Sequence, residues 1–411
     1  MAKDLTRVGD VWDPTRHQQA VEGKPWRPLP LQVEEITPDW LTRALSSRFP
    51  GVKVNGCEIT RVKHGFTSLV HLRLDLNDAG RTAGISPMVV VKGGFTTYSR
   101  HYAHSYAMEA YAYRDVWPHL RLNIPTVYFV DLELARNQTV VVMEDLNARG
   151  VTFGHGLRPL GYGMMAKRLS ALAALHAKTW ESPEFKQGGA FYGLLPNGAR
   201  MLRQHMDENG YIRLEVDSSG RPSGFRQSAP FFSPEGWETL WEERMSQNAA
   251  ASHAFRDREW NRRALMYVEA LCDRLPNCVL HMDTHLGNHF EEPDGTPGFI
   301  DSQTRRDPAY FDLAYAITSG LDPCDRRKWE RALVGHYLDE LSRNGVQLDF
   351  NETMHYYALF LHQGFIIFVI NDPVWQTPAF NTVNVWRFCS AMMDNGTKEL
   401  FDTALRNPIG L

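Results

Sequence analysis

Hydrophobic and polar positions change period once along this 411-residue chain. Residues 57–63 and 69–76 alternate as half-buried strands do. Met88-Val89-Val90-Val91 is continuously apolar and runs into Lys92. Residues 127–130 and 139–143 are two more apolar runs of strand length. Between them, residues 103–117 have helical period, with Glu109 in the middle. This predicts a five-stranded sheet with one helix. A short helix at 39–49 precedes it, with Pro38 and Asp39 as start signals. After Glu144-Asp145-Leu146-Asn147 the period is helical, at about 163–180, 235–250, 257–274, 326–343, 351–370 and 382–404. The expected fold class is therefore α+β, with a sheet lobe over 1–146 and a helical lobe over 147–411.

Two segments stand outside this pattern. Residues 1–35 are polar and Pro-rich and read as an extended arm. Residues 182–236 are rich in Gly, Pro and Ser, with a candidate hairpin from Tyr211 to Val216. A long irregular insertion in a compact domain is often a lid or binding loop.

Composition narrows the class. A hydrophobic share of 43% supplies a packed core, and a formal net charge of −4 with no basic patch gives no footprint for nucleic acid. Five cysteines without a CxxC pair read as reduced thiols of a cytoplasmic protein. The N-terminus lacks the apolar core of a signal peptide. The most apolar run, 356–370, contains His362 and Gln363, and a buried helix is expected there rather than a membrane span.

Chemistry concentrates in His281-Met282-Asp283-Thr284-His285-Leu286-Gly287-Asn288 and Gly298-Phe299-Ile300-Asp301. An acid, an amide and a second acid across a short hairpin are what phosphoryl transfer requires. Asp283 would orient the attacking hydroxyl. Asn288 and Asp301, thirteen residues apart, would offer a neutral and a charged oxygen to Mg²⁺ on ATP. His281 is expected to fix the loop, and Asp312, early in the next helix, to bond the loop's backbone. Asp307 would do the same or cap that helix.

Upstream, Lys92 ends an apolar strand, where a charge is costly unless paired. Glu109 on the following helix is its natural partner, and together they would hold the α and β phosphates. A strand-end lysine reaching solvent is the alternative. Gly65, Thr67 and Ser68 lie in a turn whose N–H groups and hydroxyls could cover phosphates, or which is an ordinary hairpin turn. Backbone groups from Glu144 to Leu146 could hydrogen-bond an adenine ring. A rival reading takes His281, Asp283 and His285 as the metal site of a hydrolase, which leaves Asn288, Asp301, Lys92 and Glu109 unexplained.

On these residues the chain resembles the aminoglycoside phosphotransferase and choline kinase superfamily, and within it a branch of bacterial phosphotransferases related to ecdysteroid-kinase-like proteins. The shared pattern is H-x-D-x-x-x-x-N, a hairpin, and an apolar strand ending in Asp, here His281, Asp283, Asn288 and Asp301. Gly298-Phe299-Ile300-Asp301-Ser302-Gln303 and Leu172-Ala173-Ala174-Leu175-His176-Ala177 are similar to that branch as well. The resemblance implies a bilobal protein-kinase-like fold with a five-stranded antiparallel sheet. It implies an ATP- and Mg²⁺-dependent small-molecule kinase. Met282 departs from the usual glycine and Ser302 from a common aromatic residue.

The acceptor is less constrained. Residues 273–411 carry 19 acidic against 11 basic side chains, which would suit a cationic acceptor. Yet residues 351–396 hold only Glu352, Asp372 and Asp394 as acids, beside Tyr356, Tyr357, Phe360, Phe365, Phe368, Trp375, Phe380, Trp386 and Phe388. That favours a fairly hydrophobic alcohol. A nucleotide-binding pseudokinase is the remaining alternative. H-R-D, D-F-G and A-P-E motifs are absent, which argues against a protein kinase.

Overall fold

The computed structural model describes residues 23–101, 103–133, 136–194, 241–242, 245, 251–371 and 376–406, without the side chains of 101–106. The chain is α+β and divides into two compact units, 1–152 and 153–411. This division falls a few residues beyond the expected 146/147. The 3₁₀ turn Leu146–Arg149 belongs to the first unit, where Arg149 bonds Glu144 and Asn123.

In the first unit, helix α1 (Pro38–Ser46) starts at Thr37, whose hydroxyl accepts from the Trp40 N–H, with proline next in line. Five strands follow: β1 (Val54–Lys63), β2 (Ser68–Leu76), β3 (Met88–Gly93), β4 (Val127–Glu133) and β5 (Gln138–Glu144). They form one antiparallel sheet in the order β1-β2-β3-β5-β4. β3 and β5 are inside the sheet and nearly all their residues are buried, which is why they read as unbroken apolar runs. β1 is an edge and mostly exposed. Helix α2 (Ala103–Tyr111) continues as a π-type turn at Ala112–Val116, so the expected helix over 103–117 exists with a widened end.

The described part of the N-terminal segment is not an extended arm. Leu29 and Ile36 enter the core with Trp40, Val70, Leu72, Val89 and Phe129. Trp26 and Arg27 both donate to Oδ2 of Asp131 on β4, at 2.9 and 2.8 Å. Polar composition concealed these few anchors. Between β2 and β3 the chain forms a short helix, Asp78–Thr82, capped by Asn77.

The second unit is mostly helical: α3 (Tyr162–Thr179), α4 (Arg258–Cys272), α5 (Tyr310–Gly320), α6 (Pro323–Arg343), α7 (Phe350–Ile370), α8 (Pro378–Asp394) and α9 (Thr397–Ala404). Every residue of α5 is buried, and α7 packs along it. Helix α7 is long and apolar enough to cross a membrane, but 72% of its most apolar window is buried within the protein. The single helix expected over 382–404 is two, because Gly396 adopts φ 61° and turns the chain between α8 and α9. Four short strands carry the motif region: β6 (Cys278–Leu280), β7 (His289–Glu291), β8 (Pro297–Phe299) and β9 (Arg305–Asp307). β7 and β8 form a hairpin, and β6 pairs with β9. Most of the insertion over 182–236, its candidate hairpin and the helix over 235–250 lie outside the described residues.

Asp145 joins three parts of the first unit. Its N–H donates to Met88 O at 3.0 Å, Oδ2 meets His71 Nδ1 at 2.7 Å, and Oδ1 accepts from Asn147 N–H at 2.9 Å. Burial acts to raise its pKa, but the hydrogen bonds from His71 and Asn147 prevail and hold it below the ordinary carboxylate value. A depressed pKa contributes stability above the unfolded value that is lost as pH falls through the folded one. Asp145→Ala should therefore cost about 2 kcal/mol near neutral pH, with the deficit shrinking below about pH 4, as read by urea unfolding at several pH values.

Candidate active site

In the first unit, Lys92 stands on β3 between Leu69 of β2 and Val141 of β5. Its ammonium is buried and meets the Glu109 carboxylate at 2.8 Å to Oε1 and 2.6 Å to Oε2. A lysine in the centre of a sheet is thus compensated by a carboxylate from α2, as the sequence led us to expect. The pair is buried and its geometry fixed by this contact.

The turn holding Gly65 and Thr67 leads into Ser68, which is buried at the start of β2 and shares a 2.9 Å hydrogen bond with His64 Nδ1. Ser99 donates to Gly65 O at 3.3 Å, tying the turn to the short helix Thr97–His101 that follows β3. At the end of β5, the N–H groups of Glu144 and Asp145 donate to Thr126 O and Met88 O. These two donors are committed to the protein's own backbone and are not available to an adenine ring. The Glu144 carboxylate accepts from Thr126 N–H at 2.6 Å and Arg149 at 2.8 Å. Leu146 is buried.

The second unit assembles the motif residues around one loop. β6 delivers His281, and the loop then runs to β7. Asp312, buried in the first turn of α5, accepts from the N–H of His281 at 2.8 Å and of Met282 at 2.9 Å. His176 of α3 reaches the same carboxylate at 3.3 Å while its other nitrogen meets the Tyr337 hydroxyl at 2.8 Å. These contacts hold Met282 at φ 69°, the left-handed region usually left to glycine. The usual glycine is thus replaced without loss of the turn. Asp307 is buried in β9 and its carbonyl accepts from Cys278 Sγ; the N-cap position of α5 is Ala309, so Asp307 is not the cap residue.

His281 is fully buried, and Nδ1 accepts from Asp283 N–H at 3.3 Å. Burial pushes its pKa down to about 4, so it is neutral at physiological pH and serves the loop as a spacer. Its ring lies 5.6 Å from that of Phe299.

Asp283 is the centre of the loop, with a side chain 27% exposed. Asn288 donates from Nδ2 to Asp283 Oδ2 at 2.8 Å, to Asp283 O at 3.0 Å and to Asp301 O at 3.5 Å. One amide group thereby fastens both acidic positions. The hairpin makes this possible. Gly298 lies against the Phe290 ring, where a Cβ would come within 2.1 Å, and Ile300 N–H donates to Asn288 O at 3.1 Å. Asp301 also has positive φ, 54°. The surrounding protein raises the pKa of Asp283, and the Asp301 charge adds to this; His285, Tyr315 and Asn288 act in the opposite sense.

Tyr315 and Arg168 carried no sequence signal strong enough to single them out, and His285 stood out only as a ligand of the rival metal site. Tyr315 of α5 donates its hydroxyl to Asp283 Oδ1 at 3.2 Å. His285 places Nε2 at 3.5 Å from the same oxygen. Arg168 of α3, wholly buried, donates to Thr284 O at 2.6 Å and lies over the Phe299 ring. Burial lowers its pKa to about 10, which still leaves it charged at neutral pH. Among the described residues no group of three or more His, Cys, Asp and Glu side chains could hold a metal ion, so His281, Asp283 and His285 do not form the hydrolase-type site considered above.

Asp312→Ala would leave two buried N–H groups without an acceptor and Met282 without restraint. It should destabilise the protein by about 3 kcal/mol or more, measurable as a lowered urea midpoint.

No protein-family model and no curated protein matches the chain. Among solved structures it is similar to a choline kinase of Streptococcus pneumoniae, at 13% identity, 86% coverage of this chain, 98% of that chain and a TM-score of 0.43. It is also similar to an ethanolamine kinase of Plasmodium vivax, at 12% identity, 83% and 81% coverage and a TM-score of 0.40. A spectinomycin phosphotransferase in complex with ADP and its antibiotic is similar at 11% identity, 89% and 98% coverage and a TM-score of 0.41.

Proposed function

We propose that this chain is an ATP- and Mg²⁺-dependent O-phosphotransferase acting on a hydroxyl of a small molecule. The observation that carries the reading is the fixed carboxylate of Asp283, held by Asn288 within a loop whose backbone is anchored on Asp312. Asp283 takes the hydroxyl proton as the acceptor oxygen bonds to the γ-phosphorus. The bond from that phosphorus to the bridging oxygen breaks, and ADP leaves. Most of the acceleration comes from placing these groups.

The donor set fits Mg²⁺. Asn288 spends its N–H₂ on Asp283 and Asp301 carbonyls and on the Asp283 carboxylate, so its oxygen is the atom it would offer an ion, and Asp301 would supply a carboxylate. Hard oxygen ligands of this kind suit the ion, which would neutralise charge on the phosphates. Lys92, fixed by Glu109, is proposed to hold phosphate oxygens. Gly65, Thr67 and Ser68 are proposed to lie over them, with backbone groups of Glu144 and Leu146 beside the base.

For the acceptor, we keep a fairly hydrophobic alcohol. Of the aromatic residues over 351–396, Tyr357, Phe360, Phe365, Phe368, Phe380 and Phe388 are buried and form core; Trp386 is exposed, and Trp375 lies outside the described residues. What supports an apolar acceptor is the scarcity of charge over 351–396, where Glu352, Asp372 and Asp394 are the only acids. An alcohol panel in which only polycationic sugars react would overturn this choice.

Mg²⁺-ATP at about a hundred times its dissociation constant should stabilise the protein by roughly 2.7 kcal/mol, and Asp301→Ala should abolish the shift. Asp283→Asn should keep the shift and lower kcat by about a thousandfold. A shift with no turnover on water or any alcohol would mark a pseudokinase instead. Because Asp283 must be ionised and its pKa is raised, kcat should fall on the acid side with a midpoint above the ordinary carboxylate value of about 4. A flat profile down to pH 4 would contradict this.

A further inference from the structure

Asp283 offers four lone-pair positions on its two carboxylate oxygens. On Oδ2, one is taken by Asn288 Nδ2 at 2.8 Å. On Oδ1, the Tyr315 hydroxyl lies at 3.2 Å and His285 Nε2 at 3.5 Å. Tyr315 is the donor to Oδ1 and His285 its close neighbour, and packing holds both. Tyr315 is buried in α5 with its ring stacked on Phe368, at 5.5 Å and 11°, and on Phe311 at 5.3 Å and 19°. α5 is also the helix whose Asp312, one turn earlier, anchors the loop backbone.

The proton position of His285 follows from its other nitrogen. Nδ1 lies 3.0 Å from Gly287 N–H, which can only donate, so Nδ1 accepts and the ring N–H is on Nε2. Nε2 is the ring nitrogen that lies beside Asp283, 3.5 Å from Oδ1. The ring is held in this pose by Phe380 and Phe368, and Gly287 leaves no room for a side chain, since a Cβ would come within 2.9 Å of the His285 ring. His285 therefore has two separable tasks. One nitrogen caps the turn Leu286–Asn288, and the other faces the carboxylate.

We propose that Tyr315 and His285 are positioning residues that clamp Oδ1 of Asp283, so that the acceptor hydroxyl is received at the remaining lone pair of Oδ2. This deepens the phosphotransferase reading and rests on it. The clamp stops the carboxylate from rotating about its last bond, and rotation would exchange the two oxygens. Neither residue touches the reacting atoms; both act through Asp283.

The test compares wild type, Tyr315→Phe and His285→Asn by the rate of ADP formation from Mg²⁺-ATP, with water or whichever alcohol of a panel reacts. Phe keeps the stacked ring and removes only the hydroxyl. Asn keeps a side-chain oxygen able to cap Gly287 but does not reach Asp283. Each variant should lose about tenfold in kcat, leave KM for ATP within about twofold, and keep the Mg²⁺-ATP thermal shift. The double variant should lose less than the product of the two, because both residues restrain one oxygen. His285→Ala, which loses both tasks, should also unfold at lower temperature.

Wild-type kcat in both single variants would overturn the clamp and leave the phosphotransferase reading standing. Equal rises in KM for ATP with unchanged kcat would overturn it as well, by making the residues part of nucleotide binding. A wild-type protein without turnover on water or any alcohol would overturn the phosphotransferase reading and the clamp together.

Discussion

The second unit depends on one buried carboxylate. Asp312 accepts two backbone N–H groups from consecutive residues of the loop, His281 and Met282, and a third contact from His176. Charge-assisted bonds of this kind are about twice as strong as neutral ones, and in a dry interior their loss is expensive. Because Asp312 is on a helix with every residue buried, the loop inherits the rigidity of the core. Asp283, Asn288 and Asp301 then need few further restraints. One amide group of Asn288 suffices to tie the two acidic positions together.

The first unit solves a related problem by a different route. Lys92 lies on an interior strand, where an unpaired ammonium would be very costly. Glu109 removes that cost by direct pairing, and the result is a cation whose position is set to the precision of a sheet. Both units thus place charge by anchoring it to regular structure, and not by surface loops alone.

Much of this was legible in the sequence, and the reasons are physical. β3 and β5 were visible because interior strands are apolar on both faces. The residues from His281 to Asp301 were visible because an acid, an amide and an acid in that spacing have few other uses. Lys92 and Glu109 were found because a charge in an apolar strand demands a partner. Other features were hidden. Tyr315 meets Asp283 from 32 residues away, and an aromatic residue in an apolar helix reads as core. His285 stood out only as a ligand of the rival metal site, since nothing local shows which side chain Nε2 lies beside. The segment before α1 was masked by its polar composition, although Leu29 and Trp26 attach it to the sheet. The break between α8 and α9 did have a signal, Asn395-Gly396, which the helical period on either side obscured.

Met282 has a consequence for how this loop can change. A residue with a side chain in the left-handed region sits about 1 kcal/mol or more above its relaxed conformation, and here the Asp312 carboxylate holds it there. The two positions are therefore energetically coupled across 30 residues. A glycine at 282 would no longer need so firm an anchor, whereas a β-branched residue would need a firmer one than a single carboxylate can supply. Substitutions tolerated at 312 should thus depend on which residue occupies 282, so that neither position can be changed without regard to the other.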